Sequence, residues 1–396
     1  MGYSVLHLQE EDLLKIKDMV CDDPNIRSLD GIQYLWNLES LDLGAKGTGV
    51  DNITLLENLT MLERIYIPAS KIDNITALSG LDLKYLDLTG NRVTDLTPLQ
   101  EMANLEVLLL DRQHPDYITD IAPLKNLQKL RVLDLSHNKI ADISALEFLD
   151  NITFLKLKDN RVASIEALSG MKLEILDISI NQVSDLSYLD GSKQTLAYLN
   201  LAYNKLSSLD FLADFDKIRH LNAARNRIND ITVLSSLNGL SVLILDINLL
   251  TDITPVYGRA GAGLINELSV SFNCIPEIDP VFEQKVVKFR SNGQCKPAPL
   301  FTDIDLNLVV NKDLITEREP ANDPAEDGSD NDSGDKEKDK NEKIDQGVAA
   351  DFEKGTSPGG CSFSGNGFHG ADAVALCAAA FILIRKLRIK QGVTEE

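Results

Sequence analysis

From Leu38 to Asn273 one phrase recurs about every 22 residues, Leu-x-x-Leu-x-Leu-x-x-Asn-x-Ile-x-Asp-Ile. A period of this length is typical of a solenoid, because one short strand and its return segment cannot bury their own apolar face and must stack on neighbouring copies. The register of the phrase gives about eleven coils. The sequence therefore predicts an α/β solenoid, stabilised by contacts between adjacent coils.

The asparagine of the phrase is predicted to be structural. A tight bend inside each coil leaves backbone N–H and C=O groups away from water, and a carboxamide can both donate and accept. We expect a ladder of these side chains along the solenoid, formed by Asn91, Asn138, Asn160, Asn181, Asn204, Asn226, Asn248 and Asn273. Gln113 takes the same position in one coil, and Lys46 and Ser70 take it in the two opening coils.

Each coil is predicted to combine one short strand with one short helical turn. In residues 130–143 the side chains of Leu130, Leu133, Leu135 and Ile140 are predicted to point inward, so that the strand residues between them face outward. An Asp-Leu-Thr-Pro-Leu type of step follows the strand, as at residues 95–99, and we expect its Asp to cap a short 3₁₀-like or helical turn. The result is an arc with a parallel sheet on its concave side and short turns on its convex side.

The outward positions of the strands carry an unusual number of apolar side chains, where solvated strands usually place polar ones. A contiguous exposed apolar patch generally marks a contact surface. We therefore predict a ligand-binding concave face formed by Tyr66, Tyr85, Val107, Leu109, Val132, Phe154, Ile175, Tyr198, Tyr203, His220, Val242, Ile244 and Phe272. The alternative is that neighbouring side chains on parallel strands simply pack on each other.

Composition restricts the chemistry of the chain. There are 39 basic and 61 acidic residues, for a formal charge of -22, and nucleic acid is not an expected partner because phosphate binding needs clustered Lys and Arg. None of the five cysteines forms a Cys-x-x-Cys pair, so no zinc site is expected. No catalytic residue, metal ligand or cofactor is predicted. Cys274 and Cys295 flank the end of the array and are either a disulfide or two buried thiols.

The two ends of the array are predicted to be capped. Residues 1–25 are assigned to an N-terminal helical cap, because residues 8–20 place Leu13, Ile16 and Val20 on one helical face. Residues 26–35 then form half a repeat with no strand before it, which indicates an array that begins upstream of Met1. The repeat domain is assigned to residues 26–290. The period fails after Asn273, and residues 291–316 are assigned to a C-terminal cap.

The remainder of the chain differs in composition. Residues 317–358 are rich in Asp, Glu, Lys, Ser and Gly and are predicted to be a disordered acidic linker. In residues 359–396 a segment with Gly359, Gly360 and Cys361 precedes an apolar run over residues 373–384, which Arg385 and Lys386 follow. Twelve helical residues span about 18 Å, against about 30 Å of hydrocarbon, so a sorting signal held at the membrane is favoured over a permanent anchor.

Two resemblances add to this interpretation. Over roughly residues 8–290 the repeat resembles the internalin family of bacterial surface leucine-rich repeat proteins. The tail is similar to the tripartite sorting tails of Gram-negative bacteria of the Synergist type, and the Leu-Pro-x-Thr-Gly signal of Gram-positive internalins is absent. The resemblances imply an exported protein that is retained at the cell envelope or cell surface. The sequence shows no phosphate-binding glycine loop and no Gly-x-Ser-x-Gly motif, and it separately predicts a non-enzymatic protein.

The function that we expect is recognition. The concave face would bind a protein or glycan ligand, the tail would associate with the membrane, and the chain would be a monomer. Residues 1–5 are not followed by the apolar run of an export signal, which indicates either a truncated start or a cytosolic protein. The alternative function is therefore a cytosolic repeat scaffold of the phosphatase-regulator kind.

Overall fold

The computed structural model describes residues 13–259, 265–294 and 361–364, and these form one open sheet of 14 strands. Thirteen strands are parallel and follow one another in chain order, and a fourteenth, antiparallel strand pairs with the first. The predicted leucine-rich repeat solenoid with its parallel sheet and short 3₁₀ turns is confirmed. Because each strand is only three or four residues long, the sheet is stable only as a stack.

The strands recur with the period of the sequence phrase. They are β1 (Asp18–Cys21), β2 (Ser40–Asp42), β3 (Arg64–Tyr66), β4 (Tyr85–Asp87), β5 (Val107–Leu109), β6 (Val132–Asp134), β7 (Phe154–Lys156), β8 (Ile175–Asp177), β9 (Tyr198–Asn200), β10 (His220–Asn222), β11 (Val242–Ile244), β12 (Glu267–Ser269), β13 (Lys288–Arg290) and β14 (Cys361–Ser364).

The return legs on the other side of the solenoid are 3₁₀ turns. They span Ile32–Tyr34, Thr54–Leu56, Thr76–Leu78, Thr97–Leu99, Ala122–Asn126, Ser144–Leu146, Glu166–Leu168, Ser187–Ser192, Asp210–Leu212, Thr232–Ser236 and Thr254–Arg259. One short α-helix, α1 (Pro280–Glu283), takes the same place before β13.

The core is a continuous column of aliphatic side chains between the sheet and the turns. The middle residue of each strand from β2 to β12 points into it, and Leu86, Leu133 and Leu176 are fully buried. Burial of one such side chain stabilises the fold by roughly 1.5 to 3 kcal/mol. Because every coil shares its leucines with the next, this apolar stacking holds neighbouring coils together.

In the return legs that carry it, the Asp acts one position earlier than we expected. The Oδ1 of Asp95 accepts the N–H of Thr97 at 2.9 Å, yet the residue that caps this 3₁₀ turn is Leu96, whose side chain makes no capping bond. The same Asx turn recurs at Asp252, whose Oδ1 accepts the N–H of Thr254 at 2.8 Å. The carboxylate therefore orders the approach to the turn, which is a common use of Asp in loops.

The asparagine ladder joins each coil to the coil before it. Asn160 donates from Nδ2 to the carbonyl of Leu157 in its own coil (3.1 Å) and to that of Leu135 in the preceding coil (2.9 Å). Its Oδ1 accepts the N–H of Ile140, also in the preceding coil, at 2.9 Å. One carboxamide thus satisfies three backbone groups that the bend would otherwise leave unpaired in the interior.

The residue before each ladder position adopts the left-handed conformation. Asp159 has a φ of 54°, and even the β-branched Ile180 and Ile247 have φ values of 55° and 56°. Such a conformation costs a non-glycine residue on the order of 1 kcal/mol or more. The bend is therefore imposed by the ladder and by coil stacking, since the local side chain disfavours it.

The N-terminal prediction was wrong in two respects. Residues 18–21 form strand β1, which pairs in parallel with β2, whereas we expected the end of a helix. In this strand Met19 is buried and Val20 is only half-buried, because a strand alternates its faces. Leu13 and Ile16 are buried as expected. The half-repeat at residues 26–35 therefore does have a strand before it, and the parallel sheet begins with β1.

At the other end the repeat continues further than its consensus. Strand β13 pairs in parallel with β12, and Gln294 takes the ladder position. Its Nε2 donates to the carbonyls of Val270 and Ser291, and its Oε1 accepts the N–H of Ile275 at 3.1 Å. The structure thus has thirteen parallel strands where about eleven coils were expected. Residues 291–294, which we assigned to a separate cap, belong to this last coil.

Cys274 is a free, exposed cysteine, so the disulfide that we considered for it is not present in the structure. Its expected partner Cys295 lies outside the described residues. The predicted linker, and the predicted sorting tail apart from Cys361–Ser364, also lie outside them, including Gly359, Gly360, Arg385 and Lys386. Within the part of the chain that is described, no helix is long and apolar enough to cross a membrane.

The ladder can be tested with one substitution. We expect Asn160→Ala to lower the free energy of unfolding by about 1 to 3 kcal/mol, because three backbone groups lose their partner in the interior. Urea denaturation measures the change. Asn58→Ala is the matched control, since Asn58 is exposed and its amide contacts only the side chain of its neighbour Glu57. Equal midpoints for the two variants would contradict the structural role of the ladder.

Candidate functional site

The concave face presents two columns of side chains, because the first and third residues of each three-residue strand point away from the core. The first residues of β4 to β11 form what we call the concave ridge: Tyr85, Val107, Val132, Phe154, Ile175, Tyr198, His220 and Val242. Strand pairing places each member directly opposite the next, as for Phe154 and Ile175. Adjacent members are therefore about 4.8 Å apart along the arc.

The concave ridge is partly covered by its own members. Val107 is buried, at 7% exposure, and the other seven residues are half-buried. The rings of Tyr198 and His220 stack with centroids 6.0 Å apart, and the Nζ of Lys156 lies 5.2 Å from the ring centroid of Phe154. Packing between neighbouring strands therefore accounts for part of the burial. The remaining exposed surface is a continuous apolar and aromatic strip.

The five residues that we expected to widen this strip fall into two groups. Tyr66, Leu109 and Ile244 are third residues of their strands; the first two are half-buried, whereas Ile244 is 2% exposed. Ile244 belongs to a small apolar cluster, separate from the core, with Ala202 and Ala224. We predicted Ile244 as a contact residue, but its neighbours cover it, and it supports the surface from below.

Tyr203 and Phe272 do not lie on the strands. Both occupy left-handed bends just after β9 and β12, with φ values of 57° and 55°. Tyr203 packs against the small apolar cluster, and the guanidinium carbon of Arg225 lies 4.5 Å from its ring centroid. The two aromatic residues therefore border the concave face at the carboxyl ends of the strands, and Arg225 adds a positive charge there.

The third residues of the strands are mainly polar, and their oxygens brace the backbone. The Oδ1 of Asp87 accepts the N–H of Thr89 at 2.8 Å, and Asp134 and Asp177 make the same bond to the residue two positions on. The Oδ2 of Asp177 also accepts from Asn200 across the strands at 3.0 Å. These carboxylates are therefore committed to the turn after each strand.

Two carboxyl groups on this face have strongly raised pKa values. Burial raises the pKa of Asp87 to about 6, and the nearby carboxylates of Asp134 and Asp42 add to the effect. Across the strands Asp87 stands between Tyr66 and Leu109, which shield it from water.

Asp111 is the second such group, and sequence reasoning missed it. Burial first, and then the charge of Asp134, raises its pKa to about 7, while Arg112 and two lysines oppose the shift. Its buried Oδ1 makes no hydrogen bond. The signal in the sequence was Asp111, two residues after the end of β5, at a position where most coils have no acidic residue. At neutral pH this face therefore carries less negative charge than its composition indicates.

The histidines of this face are not arranged for shared chemistry. Burial lowers the pKa of both His137 and His220. The Nδ1 of His137 lies 3.0 Å from the Oδ2 of Asp159 on a left-handed bend, whereas His220 is on β10. Among the described residues no group of three or more His, Cys, Asp or Glu side chains could hold a metal ion.

This geometry is that of a leucine-rich repeat solenoid, and sequence comparison supports the class. Residues 103–162 and residues 82–96 match two family descriptions, both leucine-rich repeats. Proteins of this class are generally non-enzymatic binding scaffolds. A comparison with curated protein sequences finds no match.

Solved structures give more specific similarities. An internalin, InlF, from Listeria monocytogenes is 29% identical, with a TM-score of 0.63 over 72% of this chain and 90% of its own. A leucine-rich repeat protein of Leptospira interrogans is 21% identical, with a TM-score of 0.55 over 68% of this chain and 76% of its own. The protein is therefore internalin-like in its repeat domain.

The same fold occurs in a receptor solved with its ligand. The plant peptide hormone receptor RGFR1, in complex with RGF2, is 19% identical to this chain and has a TM-score of 0.52 over 62% of it and 45% of the receptor. At this level of identity the likeness concerns the fold alone.

The raised pKa of Asp87 predicts a dependence of stability on pH. The folded protein binds this proton more tightly than the unfolded chain, whose carboxyl has a pKa near 3.8. The contribution of Asp87 to the free energy of unfolding therefore decreases as pH rises from about 4 to about 6, and it stays low above that. We expect Asp87→Asn to raise the free energy of unfolding at pH 7 by about 1 to 3 kcal/mol, since the amide oxygen still accepts from Thr89.

Denaturation curves of both proteins between pH 4 and 7 measure this effect. Asp95→Asn is the control with the opposite sign, because hydrogen bonds from the side chain and backbone of Thr97 hold the pKa of Asp95 below its usual value. The assignment would be contradicted if the free energy of unfolding of Asp87→Asn fell between pH 4 and pH 7 by as much as that of the parent protein.

Proposed function

We propose that this protein is a non-enzymatic recognition protein whose concave face binds a protein or a glycan. The observation that carries the proposal is the concave ridge, in which seven half-exposed side chains stand in register on adjacent strands. Interfaces are enriched in aromatic side chains, and Tyr is among the residues that contribute most to binding energy. Tyr85, Phe154 and Tyr198 give the ridge three such anchors.

The rigidity of the ridge favours binding. Each anchor is held between neighbours on the two adjacent strands, as Phe154 is between Val132 and Ile175. A side chain that is already ordered loses little entropy when a ligand docks, so more of the contact energy appears as affinity. Burial, together with the nearby carboxylate of Asp177, raises the pKa of Tyr198 above its usual value, so its hydroxyl stays protonated even at alkaline pH.

Charged groups beside the ridge supply polar contacts. Lys156 lies between two acidic third-position residues, and its Nζ is 3.7 Å from the Oδ2 of Asp134. Arg225 covers the ring of Tyr203 at the border of the face. Interfaces combine a central apolar patch with a polar rim, and this arrangement suits a polypeptide or a carbohydrate ligand. A polyanion is disfavoured by the formal charge of -22.

We further propose display at the cell envelope by a monomeric chain. Support comes from the similarity to an internalin over 72% of this chain and from the basic residues that follow the apolar run of residues 373–384. In this arrangement the acidic linker separates the repeat domain from a membrane-associated tail. Localisation of a tagged full-length chain by cell fractionation tests it, and recovery in the cytosolic fraction would favour the alternative of an intracellular scaffold.

The binding proposal predicts that ligand capture is weakened by substitutions on the concave face and not by substitutions on the convex side. We expect Phe154→Ser combined with Tyr198→Ser to weaken ligand capture by at least about thirtyfold, since loss of two anchors costs about 2 kcal/mol or more. The measurement is retention of proteins and glycans from envelope and host-surface extracts on the immobilised full-length chain, followed by titration of the retained species. Melting temperatures of the variant and the parent should agree within a few degrees.

Phe148→Ser is the matched control, because Phe148 lies after a 3₁₀ turn on the opposite side and is 67% exposed. The Phe148→Ser variant should capture the same ligands as the parent protein. Equal retention by the concave variant and the parent protein would show that the ridge is packing alone, and loss of capture in the Phe148 variant would move the binding site to the convex side.

A further inference from the structure

The first strand of the sheet has an unexpected neighbour. Strand β14, Cys361–Ser364, pairs antiparallel with β1, although it comes from the segment that we interpreted as the start of a sorting tail. The register places Asp18 opposite Ser364 and Cys21 opposite Cys361. All other pairings in the described sheet are parallel and join consecutive coils. This pairing is therefore outside the repeat and needs its own physical reason.

An uncovered first strand exposes a solenoid to aggregation through its open edge. The edge of β1 that faces away from β2 carries backbone N–H and C=O groups that can pair with any extended chain, including that of another molecule. Strand β14 occupies this edge over all four residues of β1. Residues 295–360 can reach from one end of the array to the other, because their contour length of roughly 200 Å exceeds the roughly 60 Å from β13 to β1.

The last residue of β1, Cys21, takes part in a disulfide bond. It is fully buried. Residues directly opposite each other on antiparallel strands have Cα atoms about 4.5 to 5.5 Å apart, within the range of about 4.4 to 6.8 Å that a disulfide requires. Backbone register therefore brings Cys361 to bonding distance of Cys21.

Cys274, and the described residue that precedes Cys295, lie far from β1. Cys274 is free and follows β12, which lies eleven strand steps, or roughly 50 Å, from β1. Gln294, the residue before Cys295, is fixed in the last coil by its ladder hydrogen bonds. Cys377 is the remaining competitor, and it lies outside the described residues.

We propose that Cys21 and Cys361 form an intramolecular disulfide that fastens the C-terminal segment to the open edge of the sheet. Formation of the bond oxidises two thiols. A thiolate of the pair attacks the disulfide of an exchange protein, or a small-molecule disulfide, and releases one thiolate of the oxidant. The second thiolate of the pair then attacks the resulting mixed disulfide and releases the other thiolate of the oxidant. The oxidant gains two electrons and two protons and leaves as two thiols. The product is one S–S bond that closes the chain from the first strand to the tail.

This bond also changes the interpretation of the tail. A bonded Cys361 is not available for acylation or for any other modification of its thiol, so processing at this cysteine and closure of the edge exclude each other. The sulfur of Cys21 is buried, so the bond resists reductants for as long as β1 stays packed against β2. Edge closure therefore depends on exposure of the chain to an oxidant during folding.

The direct test is disulfide mapping of the full-length chain, purified from an oxidising compartment with free thiols blocked. Mass spectrometry of non-reduced peptides should recover one linked pair that contains Cys21 and Cys361, in material that elutes as a monomer. A link from Cys21 to Cys377 or Cys295, a blocked free thiol at Cys21, or a link between two chains would each overturn the proposal.

Cys361→Ser gives an independent measurement that leaves the buried position 21 unchanged. Hydrogen exchange of the β1 amides, residues 18–21, should accelerate by at least tenfold in this variant, because the edge is no longer fastened. The amides of β12 should be unaffected. Cys274→Ser is the control and should match the parent protein in both strands. Unchanged exchange in β1 after Cys361→Ser would overturn the proposal even if the link is found.

Discussion

The carboxamide at the bend of each coil is the interaction on which the fold depends. Leucines alone would drive the coils together, but apolar stacking has no direction, and every coil reverses the chain in an interior from which water is excluded. Asn138 meets this need with bonds from Nδ2 to the carbonyls of Leu110 and Leu135 and a bond from the N–H of Ile118 to its Oδ1. Because these partners come from two coils, the side chain that shapes the bend of one coil also fixes the spacing between that coil and its neighbour.

The concave face is a consequence of this regularity. The ladder residues give every bend the same position within its coil. The first residues of successive strands therefore lie in a single line, and their side chains form a continuous surface. Phe154 and Tyr198 lie in this line because Asn160 and Asn204 end their coils with the same hydrogen bond to the preceding coil. Recognition in such a protein is encoded by outward residues that the fold leaves free to vary, and the inward residues keep them in register.

The sequence predicted the elements that repeat and failed where the repeat degenerates. The period identified the solenoid, the ladder and the line of concave residues, since each is a copy of one local pattern. Strand β1 was missed because residues 18–21 lack the leucines of the consensus and continue an amphipathic run, which favours a helix until the edge of β2 is considered. Gln294 was missed because Gln is a rare substitute for Asn, although Gln113 shows that it fits.

The candidate site shows the same limit. Sequence reasoning found which side chains point outward, but not which of them neighbours would cover, so Ile244 and Val107 were included although they are buried. It also overlooked Asp111, whose protonation depends on burial and on the charge of Asp134, a residue 23 positions away in the chain. Exposure and ionisation are properties of contacts between coils, which a local pattern does not contain.

The position of β14 has a mechanical consequence. A protein held by its C-terminus and bound to a ligand is under tension, and in an ordinary solenoid this tension would peel the coils away one at a time, beginning with the last. Here the chain beyond Ser364 leaves from beside the first strand. A load applied there would enter the solenoid through β14 and β1, at the end opposite the last coil, so the last coils would be bypassed for as long as this pairing holds.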